Sequence, residues 1–502
     1  MTKGEARRRA RVVILALAAV LVVAGVVTAL ALQRPPAPIV PVPQVETRTP
    51  TPTVPPRQSN DGVGDPYYPN AGGDGYDALS YDIRVRWDEA SGELNGTTTM
   101  RIRPDVNLSA VRVDLGLTVD SATVDGTAVP VVVGNGSDRM LRLSKVLQAG
   151  RESVVSITYH GDPRSVRSDG GDRPVQRGDR GLMIAGEPIS ATAWFPSNDH
   201  PSDPATYAVS VTVPKDLQAI SAGRLISEDA DSDPNTATWQ WRTDRPTPTY
   251  TVGLAIGPFR IERETVDGIP YVYAVSKLLS ADEQNVAMDT LKTTPMRVRQ
   301  LAAMYGKYPM DAGGGLVSAM STSFGALEIA GRPFYDSDFL DLSDAGRTEL
   351  VVHENAHMWF GNTVTPATWA DIVMNESFAT HASWTIGELN GGRSANDRLQ
   401  SRWEDAYPGF WRQPIANPGR DNMFGTTYDR GAMALQALKN VMGRSKFDTL
   451  VRRWAAGQGP HSFNQFRTLA SEVAGRDLSD FFTAWYSADS APPKTAEYGW
   501  PG

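Results

Sequence analysis

The chain has 502 residues of ordinary globular composition, 41% hydrophobic and 21% charged, too many for one typical domain and enough for a large buried core. Its formal net charge of -8 argues against a nucleic-acid-binding surface, which needs clustered positive charge. Cysteine is absent, so disulfides and thiolate ligands are excluded and a bound metal would have to sit on His, Asp or Glu.

The first segment, MTKGEARRRAR (residues 1–11), is basic, and residues 12–32 then run without a charge. That run is long enough to cross a hydrocarbon core of about 30 Å as a helix. The basic flank should stay in the cytoplasm, which places everything after Gln33 on the other side of the membrane. The expectation is a single-pass signal anchor with an extracytoplasmic body. The rival is a cleaved signal peptide, because Ala29 and Ala31 form an A-x-A site, and the product would then be secreted. Residues 33–60 are rich in proline and threonine and should form an extended, semi-rigid spacer.

From Tyr76 to about Phe259 the pattern changes to short alternating runs such as LSYDIRVRW, TTTMRIR, ESVVSITYH, TYAVSVTV and TYTVGLAIG. Period-two alternation rich in β-branched residues predicts antiparallel sheet with one buried face. NGT, DGT and GNGS supply turns. Residues 61–260 are therefore expected to be one β domain, built as two packed sheets.

Helical patterns begin after Pro270, around ADEQNVAMDTLKTTPMRVRQLAAMYG, and one further strand-like stretch, GLVSAMSTSFGALEIAG, follows. Later helices are expected at 371–388, 430–442, 446–456, 463–474 and 478–487, with Gly443, Gly457 and Gly475 as C-terminal stops. Residues 261–490 form a second, mostly helical domain in this reading, and residues 491–502 a tail. The fold class is α+β and multidomain.

Two of only six histidines, His353 and His357, stand four apart in GRTELVVHENAHMWFG. On a helix, positions four apart share one face, so both imidazoles can reach a single ion. Glu354 is offset around the helix beside the open position, suited to a general base. Two imidazoles leave a catalytic zinc one protein ligand short. Eighteen residues separate His357 from Glu376, which gives room for a loop and a returning second helix. A His, His, Glu set with one position for water suits one Zn2+ per chain. The bland alternative is a helix with two incidental histidines. Met358, Trp359 and Phe360 are read as core packing. His160, His200, His381 and His461 have no comparable constellation and are read as surface or structural residues.

This stretch resembles the zinc aminopeptidases of the aminopeptidase N family, the gluzincins, whose pattern is H-E-x-x-H, eighteen residues, then a ligand glutamate within N-E-G-F-A-T. Here it reads HENAH and NESFAT. TAWFPSNDHPSDPATYAVSVTVP (192–214) is similar to the family's F-P-C-x-D-E-P segment and the strand after it. FGALEIAG (324–331) stands in the place of G-A-M-E-N, and TTYDRGA (426–432) in that of Y-x-K-G-A. Four motifs in order tie residues from roughly 76 to 490 to the family.

The resemblance implies a thermolysin-like zinc peptidase domain and a role for each match. Tyr428 would direct its hydroxyl at the carbonyl oxygen under attack. Glu328 would hold the substrate's free α-ammonium, which makes an exopeptidase, and Glu187 would be a second amine anchor. The plain alternatives are an aromatic at a helix start for Tyr428 and a surface carboxylate beside a strand for Glu328. The chain also departs from the pattern: Leu327 and Ile329 replace the methionine and asparagine of G-A-M-E-N, Ser377 replaces a glycine, and Arg430 a lysine. Long relatives carry a large helical domain beyond the region matched here, so a short form with a more open site is expected.

The expectation is thus a membrane-anchored, extracytoplasmic zinc aminopeptidase acting on peptides with a free N-terminus. Two alternatives remain. One is a zinc endopeptidase with Glu328 idle; the other is a catalytically silent binding protein with a structural zinc.

Overall fold

Tyr76–Trp87 shows in miniature how the first half folds. Ile83, Val85 and Trp87 are buried while Arg84 and Arg86 between them are exposed, the period-two pattern of a sheet with one wet face. Leu94–Pro104 pairs with it antiparallel and repeats the pattern, with Met100 and Ile102 inside and Arg101 and Arg103 outside. Ala205–Pro214 pairs on the other side, in parallel. These strands centre an eight-stranded sheet that runs in space from Arg224–Ala230 through Thr236–Thr247, Ala205–Pro214, Tyr76–Trp87, Leu94–Pro104, Ser153–Gly161 and Thr118–Val124 to Thr127–Ala128. The computed structural model describes residues 56–58, 62–167, 174–230 and 233–502. The basic flank, the apolar run at 12–32 and most of the expected spacer lie outside them. Among the described residues no helix is long and apolar enough to cross a membrane.

Two four-stranded sheets share the core of the large one. The first comprises Arg57–Gln58, Leu108–Asp114, Asp138–Leu147 and Val131–Val133. The second comprises Val175–Gly178, Gly181–Ile184, Leu254–Gly257 and Gln218–Ser221. One apolar cluster joins all three, including Ile83, Val113, Leu182 and Ile256. The expected pair of antiparallel sheets is therefore, among the described residues, three sheets, two of them mixed. Alternation specifies which face is buried, not how many sheets bury it or in which direction neighbours run. Arg57–Gln58, expected in the spacer, is already a strand paired with Leu108 and Ala110.

The second half opens with a sheet of its own, five strands from Phe259–Val266 and Ile269–Ser276 through Gly313–Val317 and Phe334–Tyr335 to the edge strand Ala326–Leu327. The stretch GLVSAMSTSFGALEIAG is thus two short strands, with residues 318–325 irregular between them. The helices follow. We number them α1 (Ala281–Leu291), α2 (Thr294–Tyr305), α3 (Asp344–Ala356), α4 (Val373–Leu389), α5 (Ala395–Glu404), α6 (Asp429–Met442), α7 (Arg444–Ala455), α8 (Phe463–Ala474) and α9 (Ser479–Phe482). The helix α5 was not expected; its sequence ANDRLQSRWE buries only Ala395 and Leu399, too few apolar positions to show a periodic stripe. The anticipated tail is docked: Trp500 packs on Trp403, and the Gly499 carbonyl accepts from Asn440 Nδ2 at 2.9 Å. Gly499 has φ +77°, and a Cβ there would stand 2.2 Å from the Ala437 carbonyl oxygen.

Both halves lie within one compact unit from Pro55 to Gly502. Buried Asp65 illustrates the join: it accepts backbone N–H bonds from Tyr67 and Tyr68 nearby and from Trp369 just before α4, and it is bonded to His200 Nε2. That accounts for the buried His200 structurally, as does Gln436 for buried His381.

Candidate active site

Helix α3 carries the first candidate ligand pair. Ser343 caps its N-terminus, accepting from the Gly346 N–H at 3.2 Å, and Val351, Val352 and Ala356 bury its inner face. The helix stops one residue before the second histidine, so His357 is the C-cap rather than an interior position. Gly361, at φ +123°, reverses the chain just beyond. The turn brings the Phe360 carbonyl back to His357 Nδ1 at 2.9 Å. That bond places the proton on Nδ1 and leaves the Nε2 lone pair for a metal, the usual orientation of a ligating imidazole. Met358, Trp359 and Phe360 are buried, as core packing requires.

Glu376, in the first turn of α4, meets the pair. Its Oε2 stands 3.3 Å from His353 Nε2 and 3.7 Å from His357 Nε2. The three candidate ligand atoms lie within 4.8 Å of one another, and Glu376 Oε2 is buried without a protein hydrogen bond. Burial holds His353 down at about 4, a neutral imidazole. Burial pushes the Glu376 carboxyl up to about 7, with His357 opposing and Glu328 reinforcing the rise. Burial, then the charges of Glu328 and Glu376, drives Glu354 well above the ordinary carboxylate range. Two imidazoles and a glutamate, with an orphaned buried oxygen between them, are a donor set that fits zinc.

The site opens into a cleft of about 730 Å³ whose lining includes Glu187, Glu328, His353, Glu354, His357, Glu376 and Tyr428. All seven residues singled out from the sequence therefore meet in one place. Glu328 follows the edge strand Ala326–Leu327 and is 2% exposed, so the surface-carboxylate alternative does not hold. Its Oε1 accepts from the Tyr250 hydroxyl at 2.9 Å, and its backbone carbonyl accepts from Asn362 Nδ2 at 3.0 Å. Glu187 is half-buried, with its Oε1 inside and unpartnered; desolvation, then Glu328, Glu376 and Glu354, raises its carboxyl well above the usual range. Tyr428 is the N-cap residue of α6 and stacks on His353, with ring centroids 6.0 Å apart. Five carboxylates line the cleft (Glu349 is the fifth), and no lysine or arginine does among the described residues.

Two departures from the motif pattern have structural consequences. Ser377 Oγ donates to the Thr427 carbonyl at 3.0 Å, tying the ligand helix to the residue before Tyr428. A Cβ on Gly431 would stand 1.7 Å from that oxygen, so a serine at 377 requires glycine at 431. Arg430 does not face the cleft. Its buried guanidinium donates to the carbonyls of Trp411, Gln413, Trp485 and Ala488, stapling the loop before α6 to the end of the helical half; burial lowers it to about 10. Tyr250 and Asn375 went unrecognised in the sequence. TYTVGLAIG reads as one strand, yet Thr249–Thr251 is a short 3-10 turn before the strand Leu254–Gly257, and no spacing pattern marks a lone tyrosine in a turn.

The fold and this geometry agree with comparisons to known proteins. Residues 78–251 match the Peptidase M1 N-terminal domain and residues 306–485 the Peptidase family M1 domain. The chain belongs to the aminopeptidase N family, peptidase family M1. Zinc is the cofactor of this family, and the His353, His357 and Glu376 set is where this M1 chain fits it. It is 27% identical over 461 residues to Aminopeptidase M1 of Arabidopsis thaliana, covering 83% of this chain and 51% of the relative. It is 24% identical over 458 residues to Aminopeptidase M1-B of Oryza sativa subsp. japonica, covering 82% and 50%. The chain thus spans about half the length of these curated relatives. The M1 zinc metallopeptidase of Deinococcus radiodurans, solved as a mutant bound to a Tyr-Ser-Ala substrate, superposes with a TM-score of 0.77 at 26% identity, over 86% of this chain and 99% of that one.

Proposed function

We propose that this chain is a zinc aminopeptidase that removes N-terminal residues from peptides outside the cytoplasm, held at the membrane by residues 12–32. The observation that carries the reading is the cleft itself. It gathers a three-ligand set and two further carboxylates, the buried Glu328 and the half-buried Glu187 whose Oε1 is unpartnered, with no lysine or arginine in its lining among the described residues. Buried carboxylates need compensating positive charge. A divalent ion at the ligand set and a substrate ammonium at Glu328 and Glu187 together meet that demand.

When bound by His353, His357 and Glu376, zinc supplies Lewis-acid polarisation of the scissile carbonyl and acidification of the attacking water. Glu354 is the general base: it takes the water's proton and delivers it to the leaving amine. Tyr428 donates its hydroxyl to the oxygen that gains negative charge as the carbonyl is attacked. Glu328 and Glu187 receive the α-ammonium, which sets the register so that the first peptide bond lies over the ligand set. A bridge from an α-ammonium to a buried carboxylate is charge-assisted and stronger than a neutral hydrogen bond.

The basic flank and the apolar run at 12–32 support the membrane part of the reading. One experiment addresses both parts. Membrane and soluble fractions of producing cells are assayed on a fluorogenic aminoacyl substrate and on its N-acetyl counterpart, with and without a chelator. Activity should be membrane-bound, chelator-sensitive and selective for the free amine. Equal cleavage of the acetylated substrate would transfer the reading to an endopeptidase; zinc binding without cleavage of either would transfer it to a silent binding protein. Activity in the soluble fraction alone would remove the anchor.

A further inference from the structure

Glu328 is one member of the cleft whose carboxylate is gripped by a side chain from the other half of the molecule. Tyr250 lies in the short turn Thr249–Thr251, between the strands Thr236–Thr247 and Leu254–Gly257 of the sheet-rich half. Its ring is wholly buried and packs edge-on against Trp369, with centroids 5.4 Å apart. Its hydroxyl donates to Glu328 Oε1 at 2.9 Å. The same hydroxyl accepts from Asn375 Nδ2 at 3.4 Å, and Asn375 directly precedes the ligand Glu376. Gly361 leaves room for this contact: a Cβ there would stand 3.2 Å from the Tyr250 hydroxyl and 3.3 Å from Asn375 Nδ2. The backbone around the contact is fixed as well. Ala330 N–H donates to the Thr251 carbonyl at 2.9 Å, and a Cβ on Gly253 would meet Ile329 Cδ1 at 2.7 Å.

We propose that Tyr250 is a positioning residue for the amine anchor: its hydroxyl fixes the rotation of the Glu328 carboxylate, leaving Oε2 to receive the substrate's α-ammonium. Without it, Glu328 is free to turn toward Glu354 or His357, whose ligand-type atoms lie within 4.8 Å of its own. The carboxylate would then present no fixed oxygen to the amine. Because Asn375 completes the chain, the anchor and the ligand helix are held in one relation, and so is the distance from the ammonium to the scissile bond. This inference rests on the exopeptidase reading above.

The test is Tyr250→Phe, which keeps the ring and removes only the hydroxyl. kcat and KM are measured for an aminoacyl substrate and its N-acetyl counterpart, alongside zinc content and Tm. The ratio of kcat/KM, free over acetylated, should fall about tenfold, the size expected for a hydrogen bond to a charged group, and the fall should be carried by KM. A merely structural role would lower Tm and both activities together, leaving the ratio where it was, and would overturn the proposal. Should Tyr250→Phe fail to fold, Asn375→Ala removes the phenol's second partner and should move the ratio in the same direction by less; an unmoved ratio in that zinc-loaded variant also overturns it. The wild-type ratio separates the two ideas. A wild-type ratio near one defeats the exopeptidase reading itself, whereas a high wild-type ratio that Tyr250→Phe leaves unchanged defeats only the role of Tyr250.

Discussion

The ligand side of the cleft and its anchor side are assembled differently. His353, Glu354, His357 and Glu376 come from one stretch of chain, the end of α3 and the start of α4, and their spacing is a property of helices. Glu187, Tyr250 and Glu328 come from three separated segments, a loop after Gly181–Ile184, a short turn and the end of an edge strand. The ligand side depends on local geometry and a metal. The anchor side depends on how the two halves pack, so it has no local pattern and should fail more gradually when altered.

The largest effects should fall on the ligand side, and they should separate ligation from chemistry. Glu376→Ala is expected to lose zinc and all activity. Glu354→Gln should keep zinc while kcat drops roughly 10²- to 10⁴-fold, the usual contribution of a general base. Elemental analysis beside steady-state kinetics distinguishes them, and a folded Glu354→Gln protein without zinc would contradict the assignment. Next in size is Tyr428→Phe. Loss of one donor to developing charge costs about 2.7–4 kcal/mol, seen in kcat with KM little changed; near-wild-type kcat in a zinc-loaded variant would remove Tyr428 from the mechanism.

On the anchor side, Glu328→Ala should cost about 2–5 kcal/mol on a free-amine substrate, the cost of truncating one partner of a buried charge pair. It should cost far less on the acetylated one. An equal loss on both substrates would mean that Glu328 supports the site without reading the amine. The smallest effect concerns the seam between α4 and α6. Gly431→Ala would drive a methyl into Ser377 Oγ, an overpacking of about 1–3 kcal/mol, read as a lowered Tm. Ser377→Gly in the same chain should restore most of it. If the double variant melts no higher than Gly431→Ala alone, the clash is not what destabilises it.

The same contrast governs what could be read in advance. Strand alternation in DIRVRW and TTTMRIR predicted the buried faces of Tyr76–Trp87 and Leu94–Pro104, because the side-chain period of a strand is intrinsic to its backbone. The number of sheets was misjudged, and so was the parallel pairing of Ala205–Pro214 with Tyr76–Trp87, since neither leaves a trace in one strand's own pattern. The docked C-terminal residues were missed for a similar reason: Trp500 finds Trp403 only after both have been folded into place.

In the site, H-E-x-x-H was legible from spacing because helices carry side chains at fixed intervals, and the glutamate follows after eighteen intervening residues, room for a loop and a returning helix. Glu328, Tyr428 and Glu187 were reached only through resemblance to the family. The sequence by itself determined the candidate ligand residues, the helices that carry them and the alternation of the sheets, all of which follow from local backbone geometry. Only the tertiary structure decided that Glu187 shares a cleft with Glu328, that Tyr250 grips that glutamate, and that Ser377 and Gly431 must be chosen together. Those relations depend on contacts between segments far apart in the chain, and close packing permits only certain residues where such segments meet.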